Sequence, residues 1–171
     1  MKRIFLSAVG KLIVLHSGES CGLYLPAKPH ISPSNGGHLV VIPDRPVDER
    51  SKLSPFEALE LTFLSIVAGK LLKRQHGAAW INYQENGNWQ LDTGKERILH
   101  LHVYGRSKSA KSQQYGEALS FPLRKDLDAW QVEPYTVTET NADIEKAADI
   151  VQEQWAVSFY KALEALGNGR F

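Results

Sequence analysis

The stretch Ile98-Leu-His100-Leu-His102-Val-Tyr104-Gly-Arg106 constrains this chain more than any other. Side chains on a strand alternate between faces with a period of two. Ile98, His100, His102 and Tyr104 then share one face, while Leu99, Leu101 and Val103 share the other. The apolar set belongs in a core, which leaves two imidazoles side by side on the opposite surface. Imidazole titrates near neutral pH, so such a pair suits nucleophilic attack, proton transfer or metal ligation. A lone histidine there reads as a packed or solvated ring. For two rings aimed at one target, packing and chemistry weigh evenly.

The chain has 171 residues, 43% of them hydrophobic, enough for a single domain with a sizeable core. A formal net charge of +1 gives no sign of a nucleic-acid backbone or a membrane surface as the main partner. The only cysteine, Cys21, has no internal partner. A reducing compartment follows, with Cys21 as core filler rather than nucleophile. The start, from Met1 to Leu15, has two cations and an apolar run, but Lys11 interrupts it and no Ala-x-Ala site follows. It therefore reads as structure. No stretch approaches the roughly 20 apolar residues that span a bilayer. The expected setting is the cytoplasm.

Lys11 to Leu15 and Cys21 to Leu25 read as a hairpin, and Pro26 to Gly37 as a proline-rich loop. Leu39 to Ile42 is apolar on both sides, like a buried strand, and Pro43 ends it. Ser54-Pro-Phe-Glu57 carries three agreeing helix-start signals: a cap, a first-turn proline and a capping box. The stripe Leu59, Phe63, Ile66, Val67 and Leu71 gives that helix a face, with Leu61 and Leu64 making it apolar on more than one side. Gly77 stops it. Ala79 to Tyr83 predicts the next strand, Glu85 to Asn88 a turn, and Trp89 to Leu91 a possible return. Ser107 to Gln114 reads as a polar loop near the site, Ala118 to Phe121 as a short strand, and about 141–166 as an amphipathic C-terminal helix. The whole is an α+β pattern, an antiparallel sheet with one long central helix and a C-terminal helix, in one domain spanning 1–171.

Three pieces in order carry a family resemblance. Gly37-His38-Leu-Val-Val-Ile-Pro43-Asp-Arg-Pro46 resembles the Gly-His-x-Leu-Val-Ile-Pro-x-x-His segment of the histidine triad (HIT) superfamily. Ile81-Asn82-Tyr83 is similar to its following Ile/Val-Asn strand, and His100-Leu-His102-Val-Tyr-Gly-Arg106 to the back half of its triad motif. The resemblance covers roughly 10–110 and implies a small HIT-like fold, usually homodimeric, that binds nucleotides and cuts or transfers at the α-phosphate without a required cofactor. It implies His100 as the nucleophile that becomes nucleotidylated, His102 as the third triad histidine, His38 as the upstream histidine, and Asn82 as a nucleotide or phosphate ligand. Ile98 stands at the first triad position, and Pro46 where many members have histidine. A register shifted by two would instead make His102 the nucleophile and Tyr104 the third member; the Gly105-Arg106 ending favours the unshifted one.

The residues themselves support phosphoryl chemistry. A neutral imidazole attacks phosphorus competently, and its adduct breaks readily. Developing charge on the nonbridging oxygens needs donors, for which His102, His38 and Asn82 are candidates. Gly94-Lys95 offers backbone amides and a cation to a polyphosphate, and Arg106 a second cation, each weighed evenly against an ordinary solvated charge. An apolar slot for base and ribose is suggested at Leu23, Leu25, Ile31 and Leu39, each equally placed to be plain core. His30 reads as a solvent-exposed loop histidine. The competing readings are a nucleotide-binding protein with little turnover, motivated by Ile98, and a zinc site on His38, His100 and His102.

Overall fold

The computed structural model describes residues 6–7, 10–17, 20–26, 29–85 and 98–120, the first two segments as backbone only. Among these residues six strands form one antiparallel sheet: β1 (Leu6–Ser7), β2 (Gly10–Ser17), β3 (Cys21–Pro26), β4 (His38–Pro43), β5 (Ala78–Glu85) and β6 (Leu101–Ser107). Their spatial order is β1-β2-β3-β4-β6-β5, so β6 lies inside the sheet between β4 and β5. The predicted hairpin is β2–β3, with a register shift between Val14 and His16.

Helix α1 (Pro55–His76) begins where the sequence signals it. The Ser54 side chain accepts from the Glu57 amide, and the Glu57 carboxylate accepts from the Ser54 amide. Arg45 holds the same carboxylate at 2.8 Å and, with the Ser54 donors, draws its pKa down to about 2. Gly77 closes the helix in the left-handed conformation at φ 61°.

The helix lies on one face of the sheet. Leu61, Leu64, Val67, Ala68, Leu71 and Leu72 pack there against Cys21, Leu23, Leu25, Leu39, Val41, Leu101 and Val103. The buried stripe is rotated from the expected one: Leu59 is exposed, Phe63 and Ile66 are half-buried, and Ser65 and Gly69 are buried. Small residues explain the rotation. A Cβ at Gly69 would lie 2.8 Å from the Tyr83 hydroxyl and 3.5 Å from the Ile81 side chain, so the helix approaches β5 on its least bulky line. Leu23, Leu25, Ile31 and Leu39, suggested as an apolar slot, are all fully buried, the first, second and fourth within this core. Cys21 is core as well, and burial pushes its thiol up to about 12, which keeps it unreactive.

Residues 118–120 are not a strand, which corrects the one expected at Ala118 to Phe121; Phe121 lies outside the described residues. Gln113 donates to and accepts from Ser120, so that stretch folds back on its own loop rather than joining the sheet. The expected Asn86-Gly87 turn, the return at Trp89 to Leu91 and the C-terminal helix also lie outside the described residues. Among those residues, no helix is long and apolar enough to cross a membrane.

Candidate functional site

The face of the sheet away from α1 carries the histidines. The strand expected from Ile98 begins at Leu101. On β6 the alternation sends Leu101 and Val103 into the helical core and leaves His102 and Tyr104 opposite, with His100 just before the strand. His38 pairs with Tyr104 and Val40 with His102 in the β4–β6 ladder, which brings His38 beside His102. A close backbone approach fixes that register. The Gly105 amide donates to the Gly37 carbonyl at 2.9 Å, and a Cβ at Gly105 would lie 1.9 Å from the Gly36 oxygen. Only glycine allows this contact.

Ile98 has a different task. It packs, half-buried, against Tyr24, Val40 and Ile42, a small apolar cluster on the histidine face. Position 98 thus contributes packing on this surface where the resemblance would place an imidazole.

Hydrogen-bond polarity assigns the protons of His38, His102 and His100. The His30 amide, which can only donate, meets His38 Nδ1 at 3.0 Å. His38 therefore carries its proton on Nε2 and gives it to His102 Nδ1 at 2.8 Å. His102 in turn carries its proton on Nε2. That buried nitrogen has no hydrogen-bond partner among the described residues. His100 has the opposite arrangement. Its Nδ1 meets the Ile98 carbonyl at 2.9 Å, and a carbonyl can only accept. The proton sits on Nδ1, and the lone pair of neutral His100 is on Nε2.

Burial reinforces neutrality. His38, His100 and His102 are 1%, 2% and 1% exposed. Burial lowers the pKa of His38 and His102 well below the usual imidazole range, and neighbouring imidazoles push the same way. Burial also lowers His100, while the Ile98 carbonyl and Glu85 oppose it.

His30, expected to be a solvated loop residue, belongs to this cluster. Its ring stacks on His38 and His102 at centroid distances of 4.8 and 5.2 Å, and its Nδ1 shares a 2.8 Å hydrogen bond with the Tyr104 hydroxyl. Burial and His100 bring its pKa down to about 4. Gln84 is the other addition. It pairs with His102 across the β5–β6 ladder, and its buried Oε1 also has no partner among the described residues. Neither was legible in sequence: His30 arrives through the fold of a loop, and Gln84 through a strand register. The Asn82-to-Gln84 spacing of two was the available signal for Gln84.

The other expected site residues are distributed as follows. Asn82 pairs with Tyr104, on the histidine face, with its Oδ1 3.5 Å from Arg106. Arg106 is 2% exposed, and its guanidinium donates to the carbonyls of Gln113, Gln114 and Glu117. That cation is committed to its own loop rather than to the cluster. Gly94 and Lys95 lie outside the described residues. An open groove of about 380 Å³ lies elsewhere, lined by Arg45, Pro46, Val47, Asp48 and Lys52. It contains no histidine, and the Leu99 amide joins it to the histidine strand through the Val47 carbonyl.

The possible ligand atoms of His30, His38 and His102 all lie within 4.8 Å of one another, a spacing compatible with a metal centre. Hydrogen-bond polarity opposes that use. A ligating histidine normally donates its outer N–H to an acceptor, whereas the outer nitrogen of His38 faces the His30 N–H. Ligation through His38 Nε2 would set two donors against each other.

No family model and no curated protein matches the sequence. The fold does match solved structures. A histidine triad protein from Marinobacter aquaeolei is 18% identical with a TM-score of 0.59, covering 90% of this chain and 98% of the other. One from Sinorhizobium meliloti is 22% identical at 0.56, covering 81% and 88%. A hypothetical histidine triad nucleotide-binding protein from Sulfolobus tokodaii is 15% identical at 0.50, covering 82% and 83%. The chain has the α+β histidine triad fold.

Proposed function

We propose that this protein is a nucleotide hydrolase or nucleotidyltransferase that works at the α-phosphate through a nucleotidyl adduct on His100 Nε2. The observation that carries the reading is the hydrogen bond from His100 Nδ1 to the Ile98 carbonyl, which leaves Nε2 as the lone pair of the neutral ring. The same polarity argument speaks against the shifted register, because His102 holds its proton on Nε2 and so lacks a lone pair there. His102 then serves as a donor to phosphoryl oxygen, with His38 orienting it. The likeness to a hypothetical histidine triad nucleotide-binding protein of the same fold supports a nucleotide as substrate.

The test is single-turnover incubation with nucleotides labelled at the α-phosphate, followed by acid and alkaline quenching. Wild-type protein is expected to retain label through alkali and lose it in acid, the behaviour of a phosphoramidate. His100→Ala is expected to retain none, whereas label surviving in His100→Ala would sink the assignment.

One observation favours a second reading, a nucleotide-binding protein with little turnover. His38, His100 and His102 are almost fully buried, and position 98 holds isoleucine. Saturable nucleotide binding by calorimetry without an adduct would select it. Either reading carries a homodimer in the cytoplasm as its expected setting. Light scattering of the purified chain tests the dimer.

A further inference from the structure

The polarity of the histidine chain bears on which leaving group the site can release. A general acid must hold a proton that it can give away. His102 has one proton, on Nε2, in a neutral ring whose Nδ1 already accepts from His38. A second proton on His102 would set N–H against N–H across 2.8 Å. His38 cannot step aside by moving its own proton to Nδ1, because the His30 amide occupies that position. The chain from amide 30 through His38 to His102 is one-directional. It ends in a neutral donor.

Among the described residues, no other group on this face takes over as acid. Position 98 is isoleucine, packed among Tyr24, Val40 and Ile42. His30 Nδ1 and the Tyr104 hydroxyl are bonded to each other. Burial holds the imidazole of His30 near 4 and pushes the Tyr104 phenol above the usual phenol range, so neither is a proton donor of ordinary strength at neutral pH.

Resting on the reading of His100 as nucleophile, we infer that the site is built for leaving groups that depart as stable oxyanions, the phosphate end of a phosphoanhydride, and discriminates against amines and alcohols that must be protonated to leave. In the first step the His100 Nε2 lone pair forms the N–P bond. The bond from phosphorus to the bridging oxygen breaks, and its electron pair leaves on the terminal phosphate of the leaving group. The His102 N–H hydrogen-bonds to phosphoryl oxygen without transferring its proton. Water then attacks phosphorus, the N–P bond returns its electrons to Nε2, and the proton lost by water passes to solvent. His38 acts as a positioning residue that fixes the polarity of His102.

The experiment compares one nucleoside 5′-phosphoryl group carrying four leaving groups: a phosphate chain, 4-nitrophenol, phenol and an alkyl amine. Adenosine and guanosine series are both run, with adduct formation and product release followed separately. At neutral pH the anhydride is expected to exceed the phosphoramidate by at least about a hundredfold, the size of a missing general-acid contribution. The phenyl ester should fall well below the nitrophenyl ester. In His38→Phe, which frees His102 Nδ1 to take a proton, the total rate should fall while the preference narrows and gains a dependence on acid. Nitrogen-15 shifts of His102 in the wild type should report a neutral Nε2–H ring, a readout that does not depend on the variant folding. Cleavage of the phosphoramidate within about threefold of the anhydride, or an imidazolium His102 at neutral pH, would overturn the inference while leaving the His100 adduct intact. Absence of any adduct in both series would remove the nucleophile reading and this inference with it.

Discussion

Gly105 shows how much of the site depends on one missing carbon. Its backbone passes so close to Gly36 that a Cβ would fall 1.9 Å from a carbonyl oxygen, which belongs to rigid backbone rather than a movable side-chain end. The hydrogen bond from the Gly105 amide to the Gly37 carbonyl then sets His38 opposite Tyr104. Gly105→Ala must push the loop before His38 away from β6 or leave the β4–β6 ladder out of register. The expected cost is about 3 kcal/mol or more, in the range of strained backbone and overpacked cores. Denaturant unfolding at neutral pH checks it; a loss under about 1 kcal/mol would mean that the close approach carries no weight. Gly105 lies inside β6, two residues before its end. A glycine in a strand announces a close approach without saying what approaches.

At the scale of elements, β6 and the loop after it are bound by Arg106. The guanidinium is buried, and among the described residues it meets carbonyl oxygens and the Asn82 amide oxygen rather than a carboxylate. Asn35 and Ser34 tie the same loop from the other side, through the Lys111 amide, the Ser112 hydroxyl and the Ser107 hydroxyl. The loop that follows His30 and precedes His38 is thus joined to the loop that follows the histidine strand. Arg106→Met keeps much of the stem volume and removes the donors. It should cost about 2 kcal/mol, on the scale of lost charge-assisted hydrogen bonds. Limited proteolysis between 108 and 117 should accelerate with it. Unchanged cleavage there would mean that the Asn35 side alone holds the loop.

Elements with local signals were legible: the capping box at Ser54 and the αL stop at Gly77 stand where sequence places them. The two faces of the histidine strand do too, although that strand begins at Leu101 rather than Ile98 and runs on to Ser107. The helical stripe is out of phase with the bulky residues, since Leu59 is exposed while Ser65 and Gly69 are buried. Packing against β5 is decided by Gly69 and Ser65, whose smallness registers weakly in an apolar pattern. The two strand histidines came from period two. His30 and Gln84 did not, because their places depend on a loop path and a cross-strand register with no local period.

For the whole molecule, the histidine cluster sets the acid limit of stability. His30, His38, His100 and His102 all have folded-state pKa values below the usual 6.5, with burial the first cause in each. An imidazole lowered in this way stabilises the fold fully above the unfolded value, and that stability is lost as the pH falls towards the folded value. Between about 6.5 and 4 the unfolded chain therefore binds more protons than the folded one, and unfolding becomes easier as pH drops. His76, outside the cluster, is lowered by burial as well and adds to the same flank, whereas the stabilisation from Glu57 persists until the pH falls below 4.5 towards its folded value near 2. On the alkaline side Cys21 works in the other sense. A thiol raised from 9 to about 12 stays protonated in the fold, so stability declines above pH 9 as the unfolded thiol ionises. The expected profile is a plateau from about pH 6.5 to 9 with a steep acid flank. Each imidazole that titrates only on unfolding steepens that flank by up to about 1.4 kcal/mol per pH unit. Denaturant midpoints taken every half unit from pH 4.5 to 9.5 measure it, alongside His38→Phe as the comparison. The variant should show a shallower acid flank, because it removes one buried imidazole and lets His102 accept a proton without opposing an N–H. A wild-type midpoint that stays level from pH 7 down to 5 would mean that the cluster is already charged in the fold. The neutral chain from His38 to His102 would then be wrong.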